Sequence, residues 1–182
     1  SFADLDTIEG NNVAENAASL VGTTVGGVGD PLAGRVQQLT PDRGRTRFDR
    51  DGNDYYDQND PMPETFRIDS GPDQGFDSSV VYNATITYLD GTTAQITAVV
   101  FQDVNGNTYL APEFEDNADQ AALEAGPLLS ISFDSLVGDA YLGMSASRER
   151  GDFVPCFVAG TRLATPSGWR EVETFSVGAL VM

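Results

Sequence analysis

Asp49, Asp51, Asn53, Asp57 and Asp60 place oxygen-bearing side chains at positions 1, 3, 5, 9 and 12 of the run DRDGNDYYDQND, and Tyr55 holds position 7. A hard divalent cation takes six to eight oxygens, and a twelve-residue calcium loop supplies them from these positions, with the backbone carbonyl serving at position 7. The spacing therefore predicts a calcium site made of Asp49, Asp51, Asn53, Tyr55, Asp57 and Asp60. Without a cation, four ligand carboxylates confined to twelve residues would repel one another.

The run resembles the Asp-rich calcium loops of dockerin and thrombospondin type 3 repeats. It departs from the usual pattern at position 6, where Asp54 replaces Gly, although Asp tolerates left-handed dihedrals better than most residues. Pro61 and Pro63 follow at once, so no exiting helix is expected. A second run, DVNGN from Asp103 to Asn107, begins in the same way, but Ala111 and Phe114 stand at its positions 9 and 12. It is read as a turn.

The second chemical feature is a single thiol. Cys156 is the only cysteine, so it makes no internal disulfide, and the chain contains neither Lys nor His. Imidazole bases, imidazole metal ligands and Schiff-base amines are thereby excluded. From Cys156 the sequence reads CFVAGTRLATPSGWREVETFSVGALVM: Cys, a short apolar run, Gly-Thr, a strand, a Gly turn, an amphipathic strand and Val-Gly. This segment resembles the opening of Hint modules, the self-processing domains shared by hedgehog C-terminal regions, inteins and bacterial intein-like proteins.

The resemblance implies that the Cys156 thiol attacks the carbonyl of Pro155 and converts the Pro155-Cys156 amide to a thioester. It also implies a downstream Thr-x-x-His block, which this sequence lacks. The expectation is a truncated, inactive start of a Hint module over 154–182, joined to an acidic β-rich domain over 1–153; the alternative is a chain that still performs the Cys156 acyl shift and cleaves at Pro155-Cys156. The upstream stretches VVYNATITYLDGTTAQITAVVFQD and DQAALEAGP also resemble the flanks of Hint-containing proteins secreted by marine alphaproteobacteria, which implies an extracellular or cell-surface bacterial protein.

Charge narrows the partners. Of 182 residues, 28 are acidic and 10 are basic, giving a net charge of −18, so nucleic acid and anionic membranes are repelled. No apolar run approaches the roughly 20 residues of a membrane-spanning helix, and no membrane insertion is expected. A protein partner or self-assembly through exposed strand edges remains open. A carboxylate hydrolase also remains open, because the separation of paired acids is invisible in sequence. Arg43, Arg45, Arg47 and Arg50 are expected to balance the acidic run or to meet Asp69, Asp73 and Asp77.

The elements that must position these residues are mainly β. Ser79 to Phe101 carries two alternating runs of β-branched and aromatic residues around Asp90-Gly91. A three-residue loop opposes Ile86 to Ala94, Ala84 to Ile96 and Tyr82 to Ala98, with Gly91 left-handed. Val80, Tyr82, Ala84, Ile86, Ala94, Ile96, Ala98 and Val100 then share one apolar face, and Asn83, Thr85, Thr87, Thr93, Gln95 and Thr97 line a largely wet one. The sequon Asn83-Ala84-Thr85 is read as sheet residues.

A turn at Asn105-Gly106 returns the chain through Thr108 to Ala111. A helix follows, capped by Asn117 and stopped at Gly126, and LLSISFDSL forms another strand. Near the N-terminus, Val13 to Leu20 suggests a short helix and RVQQLTP a strand ending at Pro41, whereas 42–66 reads as loop. The fold class expected is an antiparallel sheet or sandwich with one or two short helices and a β fragment at the C-terminus.

Overall fold

The computed structural model describes residues 4–8, 13–41, 55–56, 64–113, 116–139, 144–145, 162–165, 168–171 and 174. Its strands in chain order are β1 (Thr24–Gly26), β2 (Leu39–Pro41), β3 (Tyr55–Tyr56), β4 (Thr65–Ile68), β5 (Gln74–Tyr88), β6 (Thr93–Asp103) and β7 (Thr108–Ala111). Helix α1 (Ala118–Glu124) precedes β8 (Leu128–Gly138), β9 (Met144–Ser145), β10 (Arg162–Thr165) and β11 (Gly168–Glu171). Single 3-10 turns cover Ala17–Leu20 and Leu32–Arg35. Mainly antiparallel β structure is thus what forms, as the alternating sequence pattern predicts.

Strand β5 is the hub of a seven-stranded antiparallel sheet. It pairs with β6 along most of its length, with β8 over Val81–Tyr88 and with β4 at Gln74–Gly75; β1 extends the sheet beyond β8, β2 beyond β4 and β7 beyond β6. The β5–β6 register is the predicted one: Ile86 opposes Ala94, Ala84 opposes Ile96 and Tyr82 opposes Ala98. Gly91 closes the hairpin at φ +86°, a conformation costly for a residue carrying a Cβ. Asp90 secures the same turn by accepting from both the amide and the hydroxyl of Thr92. These bonds hold its carboxyl below the usual carboxylate range.

The predicted apolar face is the main core. Val80, Tyr82, Ala84, Ile86, Ile96, Ala98 and Val100 are buried there with Leu128, Ile131 and Phe133 of β8. Leu5, Ala14, Ala17 and Leu20 cover it from the N-terminal segment, and Leu123 covers it from α1. Burying each large side chain contributes about 1.5–3 kcal/mol. The N-terminal segment is also pinned by polar bonds: Gln102 Oε1 accepts from the Leu5 amide at 2.8 Å, and the Tyr82 hydroxyl donates to the Ala17 carbonyl at 2.7 Å.

The opposite face is only partly wet, which corrects the expectation. Phe66, Phe76, Val99, Phe101 and Ala111 form a second buried cluster, with Leu39, Ile68, Val81 and Tyr109 packed against it. Val81, Val99 and Phe101 are apolar residues at the parity of the polar face, so that face changes character along the sheet. Strand β4, inside and beyond a segment that reads as loop, contributes Phe66 edge-on to Phe101 with centroids 5.4 Å apart. Such pairs add about 0.5–1.5 kcal/mol each beyond their burial.

Among the smaller elements, Asn117 caps α1 as predicted, its Oδ1 accepting from the Gln120 amide at 2.8 Å. Strand β2 ends at Pro41, also as predicted. Strands β10 and β11 form a two-stranded hairpin with Thr165 opposite Gly168, and β3 pairs with β9. No helix among the described residues is long and apolar enough to cross a membrane.

Candidate functional site

Asp49, Asp51, Asn53, Asp57 and Asp60 lie outside the described residues, as do Pro155, Cys156 and Arg43, Arg45, Arg47 and Arg50. Of the predicted ligands only Tyr55 is described. It opens β3 and pairs with Ser145, while Tyr56 pairs with Met144. Of the strand, Gly turn and amphipathic strand read after Cys156, the described residues include β10 and β11, the latter beginning at Gly168 and exposed along its length. Among the described residues, no group of three or more His, Cys, Asp or Glu is arranged to hold a metal ion.

The Asp103–Asn107 run is a turn. Asp103 Oδ1 accepts from the amides of Asn105 and Asn107 at 2.9 and 2.8 Å, and Oδ2 accepts from Asn107 Nδ2 at 2.8 Å. The carboxylate is 1% exposed and wrapped by its own loop. Three donors supply what a buried carboxylate requires, and they consume it as a ligand.

Beside this turn is a cleft of about 460 Å³ lined by Gln37, Ile68, Gln74, Gly106, Asn107, Thr108 and Tyr109. Each wall has a local origin. Gln37 precedes β2, and Ile68 and Gln74 flank the bend between β4 and β5. Gly106 and Asn107 belong to the Asp103 turn, and Thr108 and Tyr109 open β7. Asp69 shapes the bend at φ +53° while its carboxylate accepts from the Gln38 amide at 2.9 Å. Asp is one of the few residues with a Cβ that enters this region readily.

The polar groups of the cleft are oriented from behind. The Tyr109 hydroxyl donates to Gln74 Oε1 at 2.9 Å, and Thr108 Oγ1 accepts from the buried Gln102 Nε2 at 2.8 Å. Asn107 is clamped by Asp103, and Gln37 Nε2 reaches Asp69 Oδ2 at 3.5 Å. Tyr109 stacks on Phe101 with centroids 4.9 Å apart and meets Phe66 edge-on at 5.9 Å. Burial, then the nearby Asp103 charge, raise its phenol above the ordinary tyrosine value, so it stays neutral and able to donate at physiological pH.

Sequence reasoning missed this cleft because its walls come from separate stretches with no shared motif. The only local signal is the Asn-Gly-Asn turn, whose sequence announces hairpin geometry and no ligand. Asp69 accepts from Gln37 and Gln38, and Asp73 lies 3.1 Å from Arg67 Nε, whereas the Arg cluster expected near them lies outside the described residues. Comparison with protein-family models, with curated proteins and with solved structures finds no match to this chain.

Proposed function

We propose that the chain is an extracellular, calcium-braced β module of structural or interaction type, joined to the opening segment of a Hint-type self-processing module. The observation that carries the reading is the pairing of Tyr55–Tyr56 with Met144–Ser145. It ties the middle of the acidic run to a segment shortly before Cys156. In a two-residue antiparallel ladder, one residue turns its N–H and C=O toward the partner and the other turns both away. With Tyr55 as the residue turned away, its carbonyl would serve at position 7, and Asp49, Asp51, Asn53, Asp57 and Asp60 would complete the ligand set.

Bound calcium would neutralise the clustered carboxylates and do no bond-making chemistry. Its role is to fasten a long polar segment onto the fold. At a hundredfold excess over the dissociation constant this is worth about 2.7 kcal/mol. The hairpin β10–β11 supports the Hint part of the reading, since a strand, a Gly turn and a strand are what the pattern after Cys156 asks for. Cys156 takes the nucleophile's role and Pro155 the scissile carbonyl in that reading.

Thermal melts in chelator and in millimolar calcium test the brace, with magnesium at equal ionic strength as control. A calcium-specific rise of roughly 5–10 °C is expected, and Asp51→Ala should abolish it. Equal melting in chelator and calcium, or an equal rise in Asp51→Ala, would reject the assigned loop.

A further inference from the structure

The cleft between the β4–β5 bend and the start of β7 has a lining that selects its ligand by chemistry. Three amides, two hydroxyls and one aliphatic side chain surround it, with the backbone of Gly106. No formally charged side chain is among them, in a chain whose net charge is −18. Neither an anion nor a cation finds a countercharge on the walls. An apolar ligand would displace water from the amide atoms of Gln74 and Asn107 that are not already bonded to Tyr109 and Asp103, which costs free energy and returns no hydrogen bond.

A neutral ligand rich in hydroxyl groups meets every wall. Primary amides donate and accept side by side, as vicinal hydroxyls do. Gln74 has its oxygen occupied by Tyr109, which leaves its NH2 as the group to offer. Thr108 Oγ1 already accepts from Gln102, so its own proton is available to donate. Ile68 and the half-buried ring of Tyr109 add an apolar wall of the kind on which the C–H face of a pyranose packs. The cleft is shallow and open to solvent, so it would hold one face of a sugar ring and leave the other in water.

The site is also preorganised. Tyr109, Gln102 and Asp103 each fix one lining side chain from behind, so Gln74, Thr108 and Asn107 have little rotamer freedom left to lose on binding. We propose that this cleft binds one pyranose ring of a saccharide. The inference gives the interaction role proposed above a ligand class but uses no residue of the acidic run, so a titration in chelator reads it independently of calcium.

The test is a two-dimensional amide NMR titration in chelator with methyl glycosides of glucose, galactose, mannose and N-acetylglucosamine, and with the corresponding trisaccharides. Glycerol at matched hydroxyl concentration is the control. At least one saccharide is expected to give saturable shifts at Gly106, Asn107, Thr108 and the Gln74 side-chain amide. A response to the methyl glycosides identifies a free or terminal ring, and a response to the trisaccharides alone identifies a ring within a chain. Gln37→Ala alters an exposed side chain outside the strands and preserves the fold; with Gln74→Ala it should weaken binding at least tenfold. Shifts no larger than those with glycerol across the panel, or saturable shifts unchanged in the double variant, overturn the assignment.

Discussion

The hydroxyl of Tyr82, in the middle of β5, donates to the backbone carbonyl of Ala17 at 2.7 Å across a sequence separation of 65 residues. This bond anchors the N-terminal segment to the sheet it covers, and the ring packs on Phe133 with centroids 5.1 Å apart. Tyr82→Phe keeps the ring and strands the carbonyl, so urea unfolding at pH 7 should show a loss of about 1–3 kcal/mol.

The same residue gives an alkaline signature. Burial raises the Tyr82 phenol well above its ordinary value of 10.0. Its contribution is therefore fully present below the unfolded-state value and is lost as pH rises from there through the folded value. Stability should fall above pH 10, and less steeply in Tyr82→Phe, where, among the described residues, Tyr88 and Tyr109 retain raised values. An identical decline in parent and variant would show that Tyr82 is not the titrating brace.

The sequence pattern makes some of this architecture legible and hides the rest for physical reasons. The β5–β6 hairpin is long, alternates cleanly on both strands near its tip and is closed by a local turn, so parity there sets its register. Strand β4 is four residues long and follows a Pro-rich stretch, and its partner β2 lies far upstream, so nothing within its own window announces it. The second core escaped because Val81, Val99 and Phe101 share parity with Asn83, Thr85 and Thr97. Only Phe66, arriving from β4, reveals why they are buried. The acidic run shows the converse case: its spacing is readable from the sequence, whereas four of its carboxylate ligands fall outside the described residues.

Edge protection supplies another prediction. The β6–β7 ladder stops at Val99 opposite Ala111, and Asp119 of α1 takes up the edge beyond it. Its Oδ2 accepts from the Thr97 amide at 3.1 Å and from the Thr97 hydroxyl. A carboxylate in place of a missing strand satisfies the amide and repels an incoming edge. Asp119→Ala should cost about 1–3 kcal/mol and speed exchange of the Thr97 amide at least tenfold relative to Ile96. Unchanged Thr97 protection would show that the amide is covered by something else.

Two adjacent glycines give a paired test of the β1 edge. Gly26 sits at φ +86° opposite Ser130, and a Cβ there would collide with the Leu129 carbonyl and come within 2.9 Å of Leu32 Cγ. Gly27 has no such conformation and open space where its Cβ would be. Gly26→Ala combines left-handed strain with a backbone clash that a small rotation cannot relieve, so a loss of at least about 2 kcal/mol is expected. Gly27→Ala should change stability by about 0.5 kcal/mol or less. Denaturant unfolding of both variants discriminates sharply, because chain entropy in the unfolded state favours Ala equally at either position. Similar stabilities for the two would mean that β1 is not held against β8 in this register.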